Sequence, residues 1–118
     1  MPKKLTIPQI NKRIREFRDG RDWMQFHDPK NMSISIIIEA AELLEHFQWK
    51  SGNEVEQYVQ KNREEIQSEI ADIAMYLFEI ADNLSIDLLE AMDKKLKKNA
   101  EKYPIAKAKG KHTKYNRL

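Results

Sequence analysis

The sequence predicts an all-α protein with the architecture of a four-helix bundle. Apolar residues recur every three or four positions through four segments, the spacing of one helical face. Only three glycines and four prolines interrupt the 118 residues, and few runs of β-branched residues occur outside "SISIII". With 41% hydrophobic residues, residues 1–118 are expected to form a single domain. Short connections then make four helices the most economical arrangement.

The first two helices are predicted over residues 6–21 and 33–49. Thr6 suits the N-cap position of the first helix, and Pro8 suits its first turn. The stretch "RDWMQFHDPKN" between the two helices breaks the apolar period and is expected to be a loop. Gly52 is expected to end the second helix as its C-terminal capping residue.

The remaining helices are predicted from the same spacing. A third helical region is expected from residue 53 or 54 to residue 83, bent or broken near 61–62. Ser85 is expected to cap a fourth helix, which stops before Pro104 because a proline disfavours helix at the residue before it. Residues 104–118 are basic, show no apolar period and are expected to be irregular.

Charge is distributed unevenly behind a formal net charge of +2. The last 25 residues carry ten Lys or Arg and one acid, a net charge of +9, whereas the preceding 93 residues carry −7. This division of charge indicates one of two ligands. An anion could bind together with a metal ion, or the basic C-terminal end could bind nucleic acid.

Composition also excludes some classes of protein. The chain has no cysteine, which excludes disulfide bonds and thiol chemistry and fits a cytoplasmic protein. No segment approaches the ~20 apolar residues of a membrane span, and the N-terminus lacks the apolar run of a signal peptide. No membrane partner is therefore expected.

Two predicted helices carry a pair of acids within largely apolar sequence. Glu39 and Glu42 lie three residues apart in "SIIIEAAELLEHFQWK", and Glu69 and Asp72 have the same spacing in "EEIQSEIADIAMYLFEIA". Residues three apart are rotated by about 300°, so their side chains lie only about 60° apart around the helix axis. The two acids of each pair therefore share one side of their helix. A helix that is apolar around most of its circumference is usually packed against other parts of the protein on most sides. These acids are therefore not expected to lie on an ordinary solvent-exposed face.

Acidic pairs that converge would require a cation between them. Like charges about 4 Å apart repel by roughly 4 kcal/mol at an effective dielectric constant near 20. A hard divalent ion with oxygen ligands removes this repulsion, and Mg²⁺ is the usual ion where phosphates complete the shell. The alternative is that the acids lie on solvated faces. A di-iron site is a weaker alternative, because each of the three histidines lacks the Glu-x-x-His spacing.

The spacing of the acidic pairs also resembles a family signature. "EAAE" and "EIAD", separated by 26 residues, resemble the ExxE…ExxD motif of MazG-type nucleoside triphosphate pyrophosphohydrolases. "RDWMQFHDPKN", "ELLEHFQWK" and "KKNAEKYP" resemble the dCTP-pyrophosphatase branch of that all-α superfamily, over about residues 21–115. Relatives often have glycines around the first pair, where this chain has Ile38 and Ala41, and this bulk affects how closely the helix can pack.

The resemblance implies a function and an assembly. Family members use Mg²⁺ to hydrolyse a nucleoside triphosphate to the monophosphate and pyrophosphate, here expected to be dCTP or a modified cytosine deoxynucleotide, and so clear the nucleotide pool. They often form homodimers or homotetramers in which helices of two subunits close one site. Two alternatives stay open. One is the same reaction on another substrate such as dATP, and the other is a non-enzymatic helical module that binds nucleic acid or protein.

The resemblance also assigns roles to individual residues. The implied metal ligands are Glu39, Glu42, Glu69 and Asp72. Either Glu42 or Glu45 would orient or deprotonate the attacking water.

The aromatic residues lie with these acids rather than among the lysines, so no stable nucleic-acid partner is expected.

The implied substrate contacts lie in four parts of the sequence. Trp23, His27 and Trp49 would form the base pocket, and Tyr76 would lie near the sugar and phosphates. The alternative for the tryptophans is packing in the core or at a subunit interface. On the fourth helix Lys95, Asn99 and Lys102 share one stripe and would contact phosphates, unless they form ordinary solvated surface.

Overall fold

The computed structural model describes residues 4–118, and every ordered element in that range is a helix. The predicted all-α class is confirmed. The described residues form six α-helices and two short 3₁₀-helices, where four helices were expected. They group into two compact units, one ending at Leu84 and the other covering Ser85–Leu118. Within residues 4–118, no helix combines the length and hydrophobicity that a membrane crossing requires.

Helix α1 covers Ile7–Asp19 and begins as the sequence predicts. The Thr6 hydroxyl accepts a hydrogen bond from the Gln9 amide (3.3 Å), and the Gln9 side chain accepts one from the Thr6 amide (2.9 Å). This reciprocal capping box satisfies two backbone donors, and Pro8 fits the first turn because an N–H there would have no intrahelical partner. The helix ends two residues before the predicted end.

Helix α2 covers Pro29–Phe47 and starts four residues earlier than predicted. Asp28 caps it, since its carboxylate accepts a hydrogen bond from the Asn31 amide at 2.8 Å. Pro29 occupies the start of the helix, where its fixed φ favours helical backbone. Assigning Pro29 to the loop was therefore wrong, and the loop before it contains a 3₁₀-helix, Met24–Phe26.

Helices α3 (Asn53–Lys61) and α4 (Arg63–Asn83) confirm the predicted break in the third helical region. Asn62 separates the two helices. Gly52 was expected to end α2, but it precedes α3 in the N-cap position with a φ of 54°. Glycine adopts this left-handed conformation readily because it has no Cβ. Gln48 ends α2 instead.

Helix α4 is central to the first unit and packs against α1, α2 and α3. Among the residues that the structure describes, the buried hydrophobic side chains are those of Met32, Ile66 and Ala81. Large apolar side chains of α2 stay exposed, with Ile37 at 68% and Leu44 at 66%. The apolar sequence of α2 is therefore only partly covered within one chain.

The second unit contains α5 (Leu88–Lys102) and α6 (Ile105–Ala108). Asp87 caps α5, because its carboxylate accepts a hydrogen bond from the Glu90 amide at 3.1 Å. The prediction of Ser85 as the cap was wrong, and this residue instead has a φ of 57°. Aspartate and serine are comparable N-cap residues, so residue type alone does not distinguish them.

Residues 104–118 contain more regular structure than predicted. Helix α5 ends before the proline, as expected, but α6 follows directly and a 3₁₀-helix covers Tyr115–Arg117. The Tyr115 ring packs edge-on against Tyr103 with 6.2 Å between centroids, and Nζ of Lys102 lies 4.7 Å from the Tyr115 centroid. These aromatic and cation–π contacts stabilise a segment that lacks an apolar helical period.

Candidate active site

Three acidic side chains from α2 and α4 meet in the first unit. Glu39 projects from α2, and Glu69 and Asp72 project from α4; one carboxylate oxygen of each lies within 4.8 Å of the others. Residues three apart on a helix are neighbours, and α2 packs along α4. The structure therefore brings three of the four predicted metal ligands together, and these three are called the acidic cluster below.

The half-buried carboxylates of the acidic cluster disfavour one another's ionised form. Partial burial, together with the adjacent carboxylates of Glu42, Asp72 and Glu69, raises the pKa of Glu39 from its ordinary value of 4.5 to about 7. Partial burial and the neighbouring Glu42 also raise the pKa of Glu69. A cation between these groups would restore their ionised form.

Two oxygens of the acidic cluster accept no hydrogen bond from any residue that the structure describes. These are Glu39 Oε2 and Glu69 Oε2, both shielded from solvent. Because buried polar atoms are normally satisfied, these oxygens suit a cation as their partner. A set of carboxylate oxygens fits a hard divalent cation such as Mg²⁺ better than a softer metal. The residues present therefore fit the metal that the resemblance implies.

The two predicted catalytic carboxylates differ in their surroundings. Glu42 is half-buried and close enough to Glu39 and Glu69 to raise the pKa of both. Glu45 lies one turn further along α2, is exposed and is not part of the acidic cluster. Of the two, Glu42 is the one that adjoins the acidic cluster.

A cavity of about 380 Å³ opens beside the acidic cluster. Glu39 and Asp72 line it together with three predicted substrate contacts, Trp23, His27 and Tyr76. The rest of its wall comes from α1 and α4, through Ile10, Arg13, Ile14, Phe17, Arg18, Met75 and Glu79. Its volume falls within the usual range of small-molecule sites. The structure thus places aromatic and acidic groups around one space.

The aromatic side chains of the cavity are held by neighbours within the first unit. Trp23 packs edge-on against Phe17 with 5.8 Å between ring centroids, and Tyr76 lies edge-on to His27 at 6.5 Å. Burial, and the nearby charge of Glu39, raise the pKa of Tyr76. The Tyr76 hydroxyl therefore keeps its proton at neutral pH and can donate a hydrogen bond to a ligand.

Sequence reasoning missed two buried charged residues in the cavity wall. Arg18 is 7% exposed and Glu79 is 5% exposed. Nδ1 of His27 lies 2.6 Å from Glu79 Oε2, and Nη1 of Arg18 lies 3.7 Å from the same oxygen. Glu79 follows Asp72 by seven residues, about two helical turns, so spacing alone could have placed it on the acidic side of α4. Its burial, however, depends on contacts with α1 and the loop before α2.

Four predicted substrate contacts are not among the residues that line the cavity. Trp49 follows α2, is 91% exposed and has a φ of 69°. Lys95, Asn99 and Lys102 lie on α5 in the second unit. Phosphate binding by these three residues stays a prediction.

The chain is similar to a described protein family over most of its length. Residues 34–118 match the model of the MazG-like family. This range contains the acidic cluster and both predicted catalytic carboxylates, but it begins after Trp23 and His27. The match therefore covers the acidic side of the site and only part of the cavity wall.

Similar proteins extend the likeness to nearly the whole chain. Over 115 residues the chain is 36% identical to dCTP pyrophosphatase 1 of Mus musculus and 34% identical to that of Homo sapiens. Each alignment covers 96% of this chain and 68% of the relative. A crystal structure of a pyrophosphatase from Archaeoglobus fulgidus is 40% identical, with a TM-score of 0.81, and the match covers 88% of this chain and 97% of that one.

Proposed function

This chain belongs to the MazG-like family, and on that premise we propose that it is a nucleoside triphosphate pyrophosphohydrolase acting on deoxynucleotides. The proposed substrate is dCTP or a modified cytosine relative, which is converted to the monophosphate and pyrophosphate to clear the cytoplasmic nucleotide pool. The observation that carries the proposal is the acidic cluster beside the cavity lined by Trp23, His27 and Tyr76. Similarity to dCTP pyrophosphatases supports the choice of base.

The acidic cluster is the proposed site of a divalent cation, Mg²⁺. Glu39, Glu69 and Asp72 would hold it, with Glu42 completing the carboxylate set. When bound, the ion neutralises charge on the triphosphate and polarises its phosphate oxygens. The close carboxylates, their raised pKa values and the two unpaired oxygens support this assignment.

The proposed chemical step is attack of water on the α-phosphorus. A bond forms between the water oxygen and the α-phosphorus, and the bond to the oxygen that bridges to the β-phosphorus breaks, so pyrophosphate leaves. We assign deprotonation of the water to Glu42 rather than Glu45, because Glu42 adjoins the acidic cluster and Glu45 is exposed. The Glu42 carboxylate takes up the water proton as a general base.

The cavity supplies the proposed base pocket. Trp23 is 43% exposed and can offer a ring face to a nucleobase, with stacking worth ~1–3 kcal/mol per base in nucleic-acid complexes. His27 would contact an edge of the base, and the Tyr76 hydroxyl would donate a hydrogen bond near the sugar and phosphates. The proposed phosphate contacts on α5 are Lys95, Asn99 and Lys102.

We also propose that the chain forms a homodimer or homotetramer in which a second copy completes the pocket with Trp49. Apolar side chains of α2 and α4 stay exposed, including Ile37, Leu44 and Ile70 (52%), and an extended apolar face is typical of a protein interface. The left-handed φ of Trp49 is uncommon for a bulky residue and costs conformational free energy. Contact with a second copy would offset this conformational cost.

A panel of the four deoxynucleoside triphosphates tests the proposed function. With Mg²⁺, dCTP should yield dCMP and pyrophosphate in one step, whereas EDTA should stop the reaction. Ion-exchange chromatography separates pyrophosphate from the phosphate that a stepwise phosphatase would release. Stepwise phosphate release, or no hydrolysis of any of the four nucleotides, contradicts the proposal.

Light scattering after size-exclusion chromatography tests the proposed assembly. The wild-type chain should elute with the mass of a dimer or tetramer, and Ile37→Asp should shift it toward the monomer because it places a charge on the apolar face of α2. Leu5→Asp is the matched control, since Leu5 is 58% exposed and precedes α1. A monomeric wild-type chain would exclude the assembly.

A further inference from the structure

The buried carboxylate of Glu79 holds a histidine that faces the cavity. Oε2 of Glu79 lies 2.6 Å from Nδ1 of His27, within hydrogen-bond distance, although the residues are 52 positions apart. The Glu79 side chain is 5% exposed and that of His27 is 18% exposed. A hydrogen bond this short between two shielded groups restricts the orientation of the ring.

The surroundings of Glu79 keep its carboxylate in place. The same Oε2 accepts a hydrogen bond from Nδ2 of Asn83 at 3.3 Å, and Nη1 of Arg18 lies 3.7 Å away. Arg18 is itself buried and is held by Asn83 through Nη1 (2.9 Å) and by Asp19 through Nε (2.8 Å). Buried carboxylates persist when they are paired and hydrogen-bonded, so α1 and α4 together supply a rigid acceptor for His27.

A carboxylate acceptor at Nδ1 determines what the other ring nitrogen can do. A neutral imidazole has one N–H donor and one acceptor nitrogen, and the partner of one nitrogen decides which is which. With Nδ1 donating to Glu79, Nε2 carries the lone pair. His27 lines the cavity, so a ligand bound there can contact its ring.

We propose that Glu79 is a positioning residue for base recognition: it fixes His27 with the proton on Nδ1, so that Nε2 accepts a hydrogen bond from an exocyclic amine of the substrate base. This inference rests on the proposed function and adds a determinant of its specificity. Cytosine carries such an amine, whereas uracil carries a carbonyl oxygen at the same position. A lone pair on Nε2 facing that carbonyl leaves two acceptors opposed, so the pocket discriminates against uracil.

Three variants separate this role from a general contribution to folding. Glu79→Gln keeps an oxygen that can accept from Nδ1, whereas Glu79→Leu keeps a similar volume without an acceptor. Asp82→Asn is the matched control, because Asp82 also joins α4 to α1, through an ion pair with Arg15 at 2.7 Å, and is not bonded to His27. Each variant is purified as the full chain and checked by circular dichroism.

The first readout is kcat/KM for dCTP divided by kcat/KM for dUTP. Loss of one oriented hydrogen bond should lower this ratio about tenfold in Glu79→Leu, while Glu79→Gln and Asp82→Asn should stay within about threefold of wild type. An unchanged ratio in a folded Glu79→Leu chain overturns the inference. A wild-type chain that releases pyrophosphate from no deoxynucleotide overturns the proposed function itself, which separates the two failures.

The second readout requires no activity and no variant of Glu79. Nitrogen-15 NMR of the wild-type chain reports which ring nitrogen of His27 carries the proton, and His27→Gln identifies its signals. The expected result at the assay pH is a protonated Nδ1 and an unprotonated Nε2. Protonation at Nε2 alone, or at both nitrogens, overturns the inference even where Glu79→Leu fails to fold.

Discussion

Lowering the pH from 8 to 6 should weaken binding of a divalent cation at the acidic cluster. The cation binds the ionised form of a carboxylate, so it competes with a proton wherever a ligand pKa lies in the working range. Glu39 meets this condition because burial and neighbouring carboxylates raise its pKa to about 7. Metal affinity should therefore depend on pH well above the range in which ordinary carboxylates titrate.

The size of the effect follows from the ionised fraction of Glu39. A group with a pKa of about 7 is about 90% ionised at pH 8 and about 10% ionised at pH 6. The apparent Kd for the ion should then rise about tenfold over this interval, equivalent to about 1.4 kcal/mol. The pKa of Glu69 is also raised, so the full change should be no smaller.

Isothermal titration calorimetry with Mn²⁺ or Mg²⁺ measures both affinity and proton release. At pH 7, titrations in two buffers of different ionisation enthalpy should show about half a proton released from Glu39 for each ion bound. Glu64→Gln is the matched control, because Glu64 is an exposed carboxylate about 140° around α4 from Glu69. This control should reproduce the wild-type affinity and pH dependence.

Equal affinity at pH 6 and pH 8, with no buffer-dependent heat, would refute the reasoning. It would mean that the ion does not bind Glu39 or that the metal-free carboxylate is already ionised at pH 6. Loss of pH dependence in Glu64→Gln would also refute it, because the titrating group would then lie outside the acidic cluster.

Three further predictions concern the same site and the helix that forms one wall of its cavity. Glu69→Gln should lower turnover about 100-fold or more, since it removes one carboxylate oxygen charge from the acidic cluster, while the helical circular dichroism stays unchanged. Without metal, the free energy of unfolding should fall as the pH rises from about 4.5 to 7. In that range Glu39 is protonated to a greater extent in the folded state than in the unfolded state. Saturating Mg²⁺ should remove this loss of stability, as measured by urea titrations. Thr6→Ala should lower stability by about 1 kcal/mol through loss of the N-cap, measured as a lower Tm with unchanged kcat; an unchanged Tm would contradict the capping argument.

Some elements of the fold could be predicted because their causes are local in the chain. Thr6 and Gln9 form a capping box within one turn, and the break near Asn62 interrupts the apolar period. Pro29 shows where local reasoning failed: the same residue type can end a helix or begin one. The choice depended on the carboxylate of Asp28, which caps the helix ahead of the proline.

The candidate active site also has features that could be predicted from the sequence and features that could not. Each acidic pair could be placed on one side of its helix from the spacing of three residues, and Glu79 could be placed near them. That Glu79 is buried and bonded to His27 could not be predicted, because the contact joins residues 52 positions apart through the packing of α1, α2 and α4. Trp49 was assigned to the pocket, yet within one chain it is 91% exposed.

Sequence alone determined the helical class, several helix ends and the acidic side of each helix, since these follow from interactions within one or two turns. Tertiary packing decided which carboxylates lie within 4.8 Å of one another, and it placed Arg18 and Glu79 out of solvent. The physical reason is that burial and electrostatic coupling depend on distances between helices. Helical periodicity specifies the direction of a side chain around its own axis, but not what lies opposite it.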